Sequence, residues 1–488
     1  MARPEGGRRE DQVRSPLQSA LQHADLTLEQ LWMRYFAMGG DADLMDVDAH
    51  LAGLLPLPNA QQDMLAHSVN ERLDELISQH RVPYSRPIRQ DRPTTGPLAA
   101  LVNLLMEARP APPERLPALA AAAGRNLGVE FGVYLIDQEQ RRLVRMPADR
   151  TSGGARLNVD GTLAGRAFRT VQILSSDKED RPRLWIPLLD GADRLGVVEV
   201  GLTTPDDLYD PALREQCRWL TSLLGHLIAS KEVYGDDLER CRLSRPRSAS
   251  AELLWQQLPP LTAATDDFVL AGMLEPSYDV GGDAFDYALS EHTVSVAIFD
   301  AVGHGLQAGL MAAAALAGYR SARRDSRGVY DQARAIDDAL ATGFPSGSAF
   351  VTGVLGELDV VSGRLRYINA GHPPPLLVRD GRVVRQLSRG RRMPFGVESE
   401  GLTVAEEILQ PGDWLALYTD GVTEARNAAG EWFGEDRLIE LLEHEIAGGR
   451  PPPETVRRLD HAVLHHQGGL LQDDASLLLA SWSRGPAA

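Results

Sequence analysis

The spacing of apolar positions changes character along the chain. In "LTLEQLWMRYFAMGG" (26–40), Leu28, Leu31, Trp32 and Tyr35 fall on one helical face. Thr27 followed by Gln30 has the form of a capping box, and Gly39-Gly40 ends the pattern. "NAQQDMLAHSVNERLDELI" repeats the design, with Asn59 as N-cap and Leu65, Val69, Leu73 and Leu76 on one stripe. These segments predict a small helical module over 25–79, after a polar stretch, 1–24, expected to be disordered. The Pro- and Arg-rich 80–97 reads as a linker.

From 98 to 233 the period alternates between helix and strand. "LAALVNLLMEA" and "RLPALAAAAGRNL" predict helices, and "FGVYLIDQEQRRLVRMP" two strands around a polar turn. "RLWIPLLDGADRLGVVEVGL" predicts a hairpin around Asp190-Gly191. In the long helix that follows, Leu213, Cys217, Leu220, Leu224 and Leu227 form a two-heptad seam. Such a seam serves either dimerisation or packing on the domain's own sheet. After a linker at 234–250, strands are expected at "FVLAGMLEPS", "VSVAIFDA", "AFVTGVLGELD", "RLRYINAG", "PPLLVRDGRVVRQL" and "WLALYTD". The Asp380-Gly381 pair marks a hairpin within one of them. Adjacent pairs of helices favour an α+β class over alternating βαβ units.

Composition narrows the function. A net charge of −18 argues against a general nucleic-acid binder, because phosphate backbones call for a basic face. Two cysteines exclude a disulfide framework or a cysteine-rich zinc site. The beginning "MARPEGGRREDQ" has no apolar signal region, and no apolar run reaches the ~18 residues of a membrane span. The expectation is a multidomain cytoplasmic protein with no membrane segment.

Two motif matches are decoys. Cys241 and Arg247 have C-x5-R spacing, but they sit in an Arg-rich stretch without the glycine loop that cradles phosphate. "GGDAFDY" has Ala284 where a nucleotide cyclase signature carries a metal-binding acid. More telling are the aspartates beside glycine at predicted strand ends: Asp283, Asp300, Asp420, Asp473 and Asp474, with Asp286 a weaker candidate. One such residue is ordinarily a turn former; several in one domain suit Mg²⁺ or Mn²⁺, which take hard oxygen ligands. His304, between two glycines, reads as shaping its turn.

Two resemblances follow. The helix, strand meander and exit helix of 98–233, with "GTLAGRAF" and "IPLLDGADRLGVVEV", resemble a GAF sensory domain whose ligand the residues do not identify. In 251–484, "EPSYDVGGDAFDY", "DAVGHGLQA", "YINAGHPPPLL", "LALYTDGVTEARNAAGEWFG" and "DDAS" occur in the order of the type 2C metal-dependent protein phosphatase (PPM) family. They are most similar to its bacterial SpoIIE/RsbU-like branch. That resemblance implies an αββα sandwich holding two Mn²⁺ or Mg²⁺ ions. Asp300 would bridge them and Ala301 would give a backbone carbonyl, with Asp283 on one ion and Asp420 and Asp473 on the other; Asp474 would stand behind. The implied chemistry is direct hydrolysis of phosphoserine or phosphothreonine by activated water, on a STAS-type anti-sigma-factor antagonist. A homodimer through the 211–233 helix is a possible further partner, and a non-catalytic phosphoprotein scaffold is the alternative. "DAVGHG" and "DDAS" depart from the usual Asp-Val-Ser-Gly-His-Gly and Asp-Asp-Met/Val-Thr without touching the acids.

Overall fold

The computed structural model describes residues 16–76, 95–147, 154–177, 182–275, 278–279, 281–345, 349–398, 401–468 and 473–483. The chain divides into two compact units, Met1–Pro93 and Thr94–Ala488. The 80–97 linker lies outside the described residues except for 95–97.

The first unit holds α1 (Pro16–His23), α2 (Leu28–Ala37), α3 (Leu44–Leu51) and α4 (Asn59–Leu76). Both halves of the capping box form. The Gln30 N–H donates to Thr27 Oγ1 at 3.3 Å, and the Thr27 N–H donates to Gln30 Oε1 at 3.0 Å. Leu31, Tyr35, Leu65, Val69 and Leu73 are buried as their spacing requires, whereas Leu76 is exposed. Asn59, expected to cap α4, is its first residue. The expectation of disorder through residue 24 fails at 16–23. Ala20 and Ala24 are buried in the same core, with Leu17 and Leu21 packed beside them, so a short apolar stripe finds a partner surface that local composition does not reveal.

The second unit opens with α5 (Gly96–Ala108) and α6 (Leu116–Asn126), then β1 (Glu130–Ile136), β2 (Arg142–Arg145), β3 (Arg156–Asn158), α7 (Leu163–Thr170), β4 (Leu174–Ser176), β5 (Arg183–Asp190), β6 (Asp193–Gly201) and α8 (Pro211–Lys231). The strands form an antiparallel sheet ordered β3-β2-β1-β6-β5-β4. One face packs on α5, α6 and α8, and α7 covers the other. The heptad seam resolves to packing inside the domain: Cys217, Leu220, Leu224 and Leu227 are buried with Leu184, Ile186 and Leu188 of β5. The seam is thus consumed within one chain rather than presented to a second copy. The 234–250 segment is no loose linker. It carries α9 (Asp237–Arg242), whose Leu238 is buried in the sheet domain's core, and the start of α10 (Ala249–Trp255), capped by Ser248.

Beyond α10 come β7 (Thr262–Ala264), β8 (Phe268–Glu275), β9 (Asp283–Leu289), β10 (Thr293–Ala301), α11 (Gly305–Arg324), α12 (Val329–Gly343), β11 (Val351–Asp359), β12 (Arg364–Ala370), β13 (Leu376–Arg379), β14 (Arg382–Gln386), β15 (Arg391–Arg392), β16 (Ala405–Ile408), β17 (Trp414–Tyr418), α13 (Asp420–Thr423), α14 (Glu435–Ala447), α15 (Pro452–His466) and β18 (Ala475–Trp482). One sheet runs β15-β12-β11-β10-β9 with β16 beside β12; the other runs β14-β13-β17-β18-β8-β7. All pairings are antiparallel except β12 with β15. The Asp380-Gly381 hairpin appears between β13 and β14, both residues at positive φ (52° and 73°), the geometry Asn, Asp and Gly tolerate.

Side-chain parity builds the layers. On β10, Phe299 meets Tyr319 of α11 edge-on at 6.0 Å, so the odd residues face the helices. The even residues Val294, Val296 and Ile298 face the second sheet, where Phe268, Leu270, Leu415, Leu478 and Trp482 complete the core. The opposite face of that second sheet, with Ala271, Met273, Leu477 and Leu479, is covered by α14 and α15. The order is therefore helices, sheet, sheet, helices.

Candidate metal centre

Strand register brings the first two acids together. Asp283, at the start of β9, lies directly opposite Asp300 near the end of β10, and Asp300 lies opposite Thr352 on β11. Opposed residues share a face at a Cβ separation of about 5 Å, so the two carboxylates stand side by side on the inward face. Asp283 is 2% exposed, and its Oδ2 accepts a 2.7 Å bond from Thr419 Oγ1 at the end of β17. The Ser476 N–H of β18 in turn donates to that hydroxyl at 2.9 Å. Asp283 thus ties one sheet to the other. Thr352 Oγ1 lies 3.4 Å from Asp300 Oδ2 and 2.9 Å from Nδ1 of the buried His372.

The second sheet supplies the remaining acids. Asp420 opens α13 immediately after β17, and Asp473 and Asp474 immediately precede β18. Asp420 and Asp473 are exposed at the rim. Asp474 turns inward: its Oδ2 accepts the N–H groups of Gly281, Gly282 and Asp283 at 2.6, 2.5 and 3.3 Å. Such close approach needs glycine. A Cβ on Gly282 would sit 2.6 Å from the Ala301 carbonyl oxygen, and one on Gly421 would sit 1.8 Å from that of Asp474.

These acids repel one another. Burial pushes the Asp300 carboxyl up to about 7, reinforced by Asp420, Asp473 and Asp474. Asp283 is raised well above the ordinary range by burial first, then by Asp300 and Asp474. Asp474 is raised by burial, although its three N–H donors pull the other way. Loss of water, Glu424 and Asp473 raise Asp420. Among the described residues none of the five pairs with an arginine or lysine, whereas buried Asp286 pairs with Arg320 (2.7 Å) and Arg323 (2.9 Å). The acids do not close into a ligand shell: among the described residues no three His, Cys, Asp or Glu side chains are gathered tightly enough to hold a metal ion. The donor set nonetheless fits a hard divalent cation in kind, being all carboxylate and short of positive charge.

The structure therefore brings Asp283, Asp300, Asp420 and Asp473 to one end of the sandwich, with Asp474 behind them and the Ala301 carbonyl adjoining Gly282. It leaves out Asp286. Three residues from Asp283 on a strand, Asp286 points to the opposite face, toward α11. Reading "DAFDYAL" as a strand would have separated the two acids by parity. Glu424, four residues after Asp420, is an acid at the site that the sequence reading passed over. His304 is exposed at the N-cap of α11 and its side chain caps nothing. The Cys241 thiol is pushed up to about 11 by burial, and Arg247 is committed to Glu239, so the C-x5-R match is spurious.

With two stacked antiparallel sheets flanked by helices and acids from both sheets at one end, this domain is similar to phosphatases of the PP2C type. More narrowly, residues 290–483 match the family described as Stage II sporulation protein E (SpoIIE). The match begins after Asp283 and covers the other candidate acids. The chain is 25% identical over 272 residues to Protein IcfG of Synechocystis sp. (strain ATCC 27184 / PCC 6803 / Kazusa), covering 50% of this chain and 42% of that protein. It is 22% identical over 215 residues to Phosphoserine phosphatase RsbU of Bacillus subtilis (strain 168), covering 42% of this chain and 60% of the relative. Among solved structures, the RsbU and RsbW domains of Rv1364c from Mycobacterium tuberculosis align with 27% identity and a TM-score of 0.39. That alignment covers 45% of this chain and 63% of that one. The chain thus spans less than two thirds of the length of these relatives. No helix among the described residues is long and apolar enough to cross a membrane.

Proposed function

We propose that this chain is a sensor-regulated, metal-dependent protein serine/threonine phosphatase. One observation carries the reading: acids from two sheets converge without a cationic partner, on a domain of phosphatase type. Asp283, Asp300, Asp420 and Asp473, with the Ala301 carbonyl, would hold two Mn²⁺ or Mg²⁺ ions. Bound there, the metals supply Lewis acidity and activate water for attack on phosphorus. The chain's own residues do the positioning. Thr419 fixes Asp283, Thr352 orients Asp300, and Asp474 fastens the Gly281–Asp283 backbone from behind. No protein nucleophile is required.

The substrate in this reading is phosphoserine or phosphothreonine on a STAS-type anti-sigma-factor antagonist, in keeping with the phosphoserine phosphatases among the relatives. The 98–233 domain takes the part of a GAF-like sensor. The open arrangement of the acids also suits a non-catalytic scaffold that binds a phosphoprotein without cleaving it. Phosphate release from a phosphoserine-bearing STAS protein separates the two. Hydrolysis that needs Mn²⁺, stops with chelator and falls by 10²-fold or more in Asp300→Asn supports the enzyme. Metal binding with no turnover on any phosphoserine substrate supports the scaffold.

A further inference from the structure

Between β8 and the Gly281–Asp283 backbone lies Tyr278, 4% exposed although it belongs to a turn. Its hydroxyl accepts the Ser244 N–H at 2.9 Å and also lies 2.9 Å from Ser244 Oγ. Ser244 Oγ donates onward to Glu139 Oε1 at 2.8 Å, in the β1–β2 turn of the upstream sheet domain. The Tyr278 carbonyl accepts the Ser248 N–H at 2.7 Å, at the cap of α10. Arg245 lies over its ring at 4.8 Å and pairs with Asp279 at 3.0 Å. Only three residues further on, the Asp474 carboxylate holds three successive N–H groups. Residues 281–283 are therefore held by the acid site, and Tyr278 is held by Ser244, whose hydroxyl in turn reaches Glu139 of the upstream sheet domain. The same β1–β2 turn reaches the other half of the site: the Glu139 carbonyl is 3.4 Å from His461 Nε2 on α15, the helix that precedes Asp473.

We propose that Tyr278 is a positioning residue for the acid site, and that its hydroxyl is the point at which the upstream domain sets the placement of Asp283. The chain of contacts runs Glu139, Ser244, Tyr278, then Gly281 to Asp283. It has a direction of effect. When the β1–β2 turn is seated, Glu139 anchors Ser244 beside the Tyr278 hydroxyl. When the turn lifts, Ser244 loses that anchor, its hold on Tyr278 loosens, and the Asp283 backbone gains freedom. The proposal rests on the metal-dependent reading of the site, although the contacts themselves do not.

The test compares full-length wild type, Tyr278→Phe, Glu139→Ala and their double variant, with Mn²⁺ as the probe. Phe keeps the buried ring and removes only the tie. Expected are Mn²⁺ binding weakened on the order of 10-fold by titration calorimetry and faster amide exchange over 281–289 in both single variants. The double variant should match Tyr278→Phe, since the same relay is already cut. Unchanged exchange in a folded Tyr278→Phe, or additive effects in the double variant, overturns the proposal. If Tyr278→Phe does not fold, Ser244→Ala removes the onward hydroxyl and is judged by the same exchange measurement. Wild type that binds Mn²⁺ but releases no phosphate sinks the phosphatase reading alone. Should wild type bind no Mn²⁺, the exchange comparison still decides on Tyr278.

Discussion

Two aspartates on neighbouring strands, Asp286 of β9 and Asp300 of β10, have opposite fates, and substitution should reveal it with opposite signs. Asp286 is 2% exposed and held by two arginines. Asp286→Asn leaves buried guanidinium charge uncompensated and should cost about 3–5 kcal/mol in urea denaturation, without altering metal affinity directly. Asp300→Asn removes a charge from a mutually repelling set, so it should raise the melting temperature of the protein in chelator at pH 7.5 while abolishing metal binding. A second residue-scale effect is a titration. Burial pushes His372 down to about 3 from an ordinary 6.5. Between those values the unfolded chain takes up the proton and the folded one does not, so stability falls as pH falls from 6.5 toward 3. The slope is at most about 1.4 kcal/mol per pH unit. His372→Gln should flatten that part of the stability profile relative to wild type, and an unchanged profile would contradict the assignment. At this scale most of the site was legible. Aspartates at predicted strand ends marked Asp283, Asp300, Asp420 and Asp473, with Gly282 and Gly421 directly beside two of them where the backbone approaches closely. The misreading of Asp286 came from treating "GGDAFDY" as a motif rather than a strand with a two-residue period.

Among elements, α15 does two jobs. Its apolar face, with Val456, Leu459 and Val463, covers the second sheet, and its polar face receives the upstream domain. Arg457, its side chain 2% exposed, forks onto Glu454 of the same helix (2.8 and 3.0 Å) and onto Asp160 before α7 (3.1 and 3.2 Å). Arg194 of β6 stacks over Phe168 at 4.7 Å and donates to the Pro453 carbonyl at 2.9 Å. Asp160→Ala should cost on the order of 1 kcal/mol, since Asp160 is largely exposed, and should speed exchange in α7 and α15 together. Exchange that rises in α7 alone would mean that the pair does not join the domains. None of this could be read locally. The period of an amphipathic helix says which face is apolar, and nothing in it says what a polar face will meet. The α8 seam shows the same limit from the other side: its spacing was legible, but only the fold decides that its partner is β5 of the same chain.

Over the whole second unit, the long strands and helices followed from the period of their apolar residues. Alternation at β10, β11, β12 and β17 and the Asp380-Gly381 turn were sufficient for the sandwich. What escaped were β9, seven residues passed over as a motif, and the short strands β7, β15 and β16, of three, two and four residues, too brief for any period to register. The packing between the two domains also escaped, since it pairs residues some 300 positions apart, as in Arg457 with Asp160.

The buried apolar clusters stop at the border between the sheet domain and the sandwich; each lies wholly on one side, and the named contacts across are ions, amides and hydroxyls. Groups of that kind exchange protein partners for water, at a net of about 0.5–3 kcal/mol for each hydrogen bond. Parting the two domains would therefore uncover little that is adhesive. The joint is suited to opening and reseating many times in a crowded solution without drawing the chain into aggregates, which a greasy seam of the same extent would not allow.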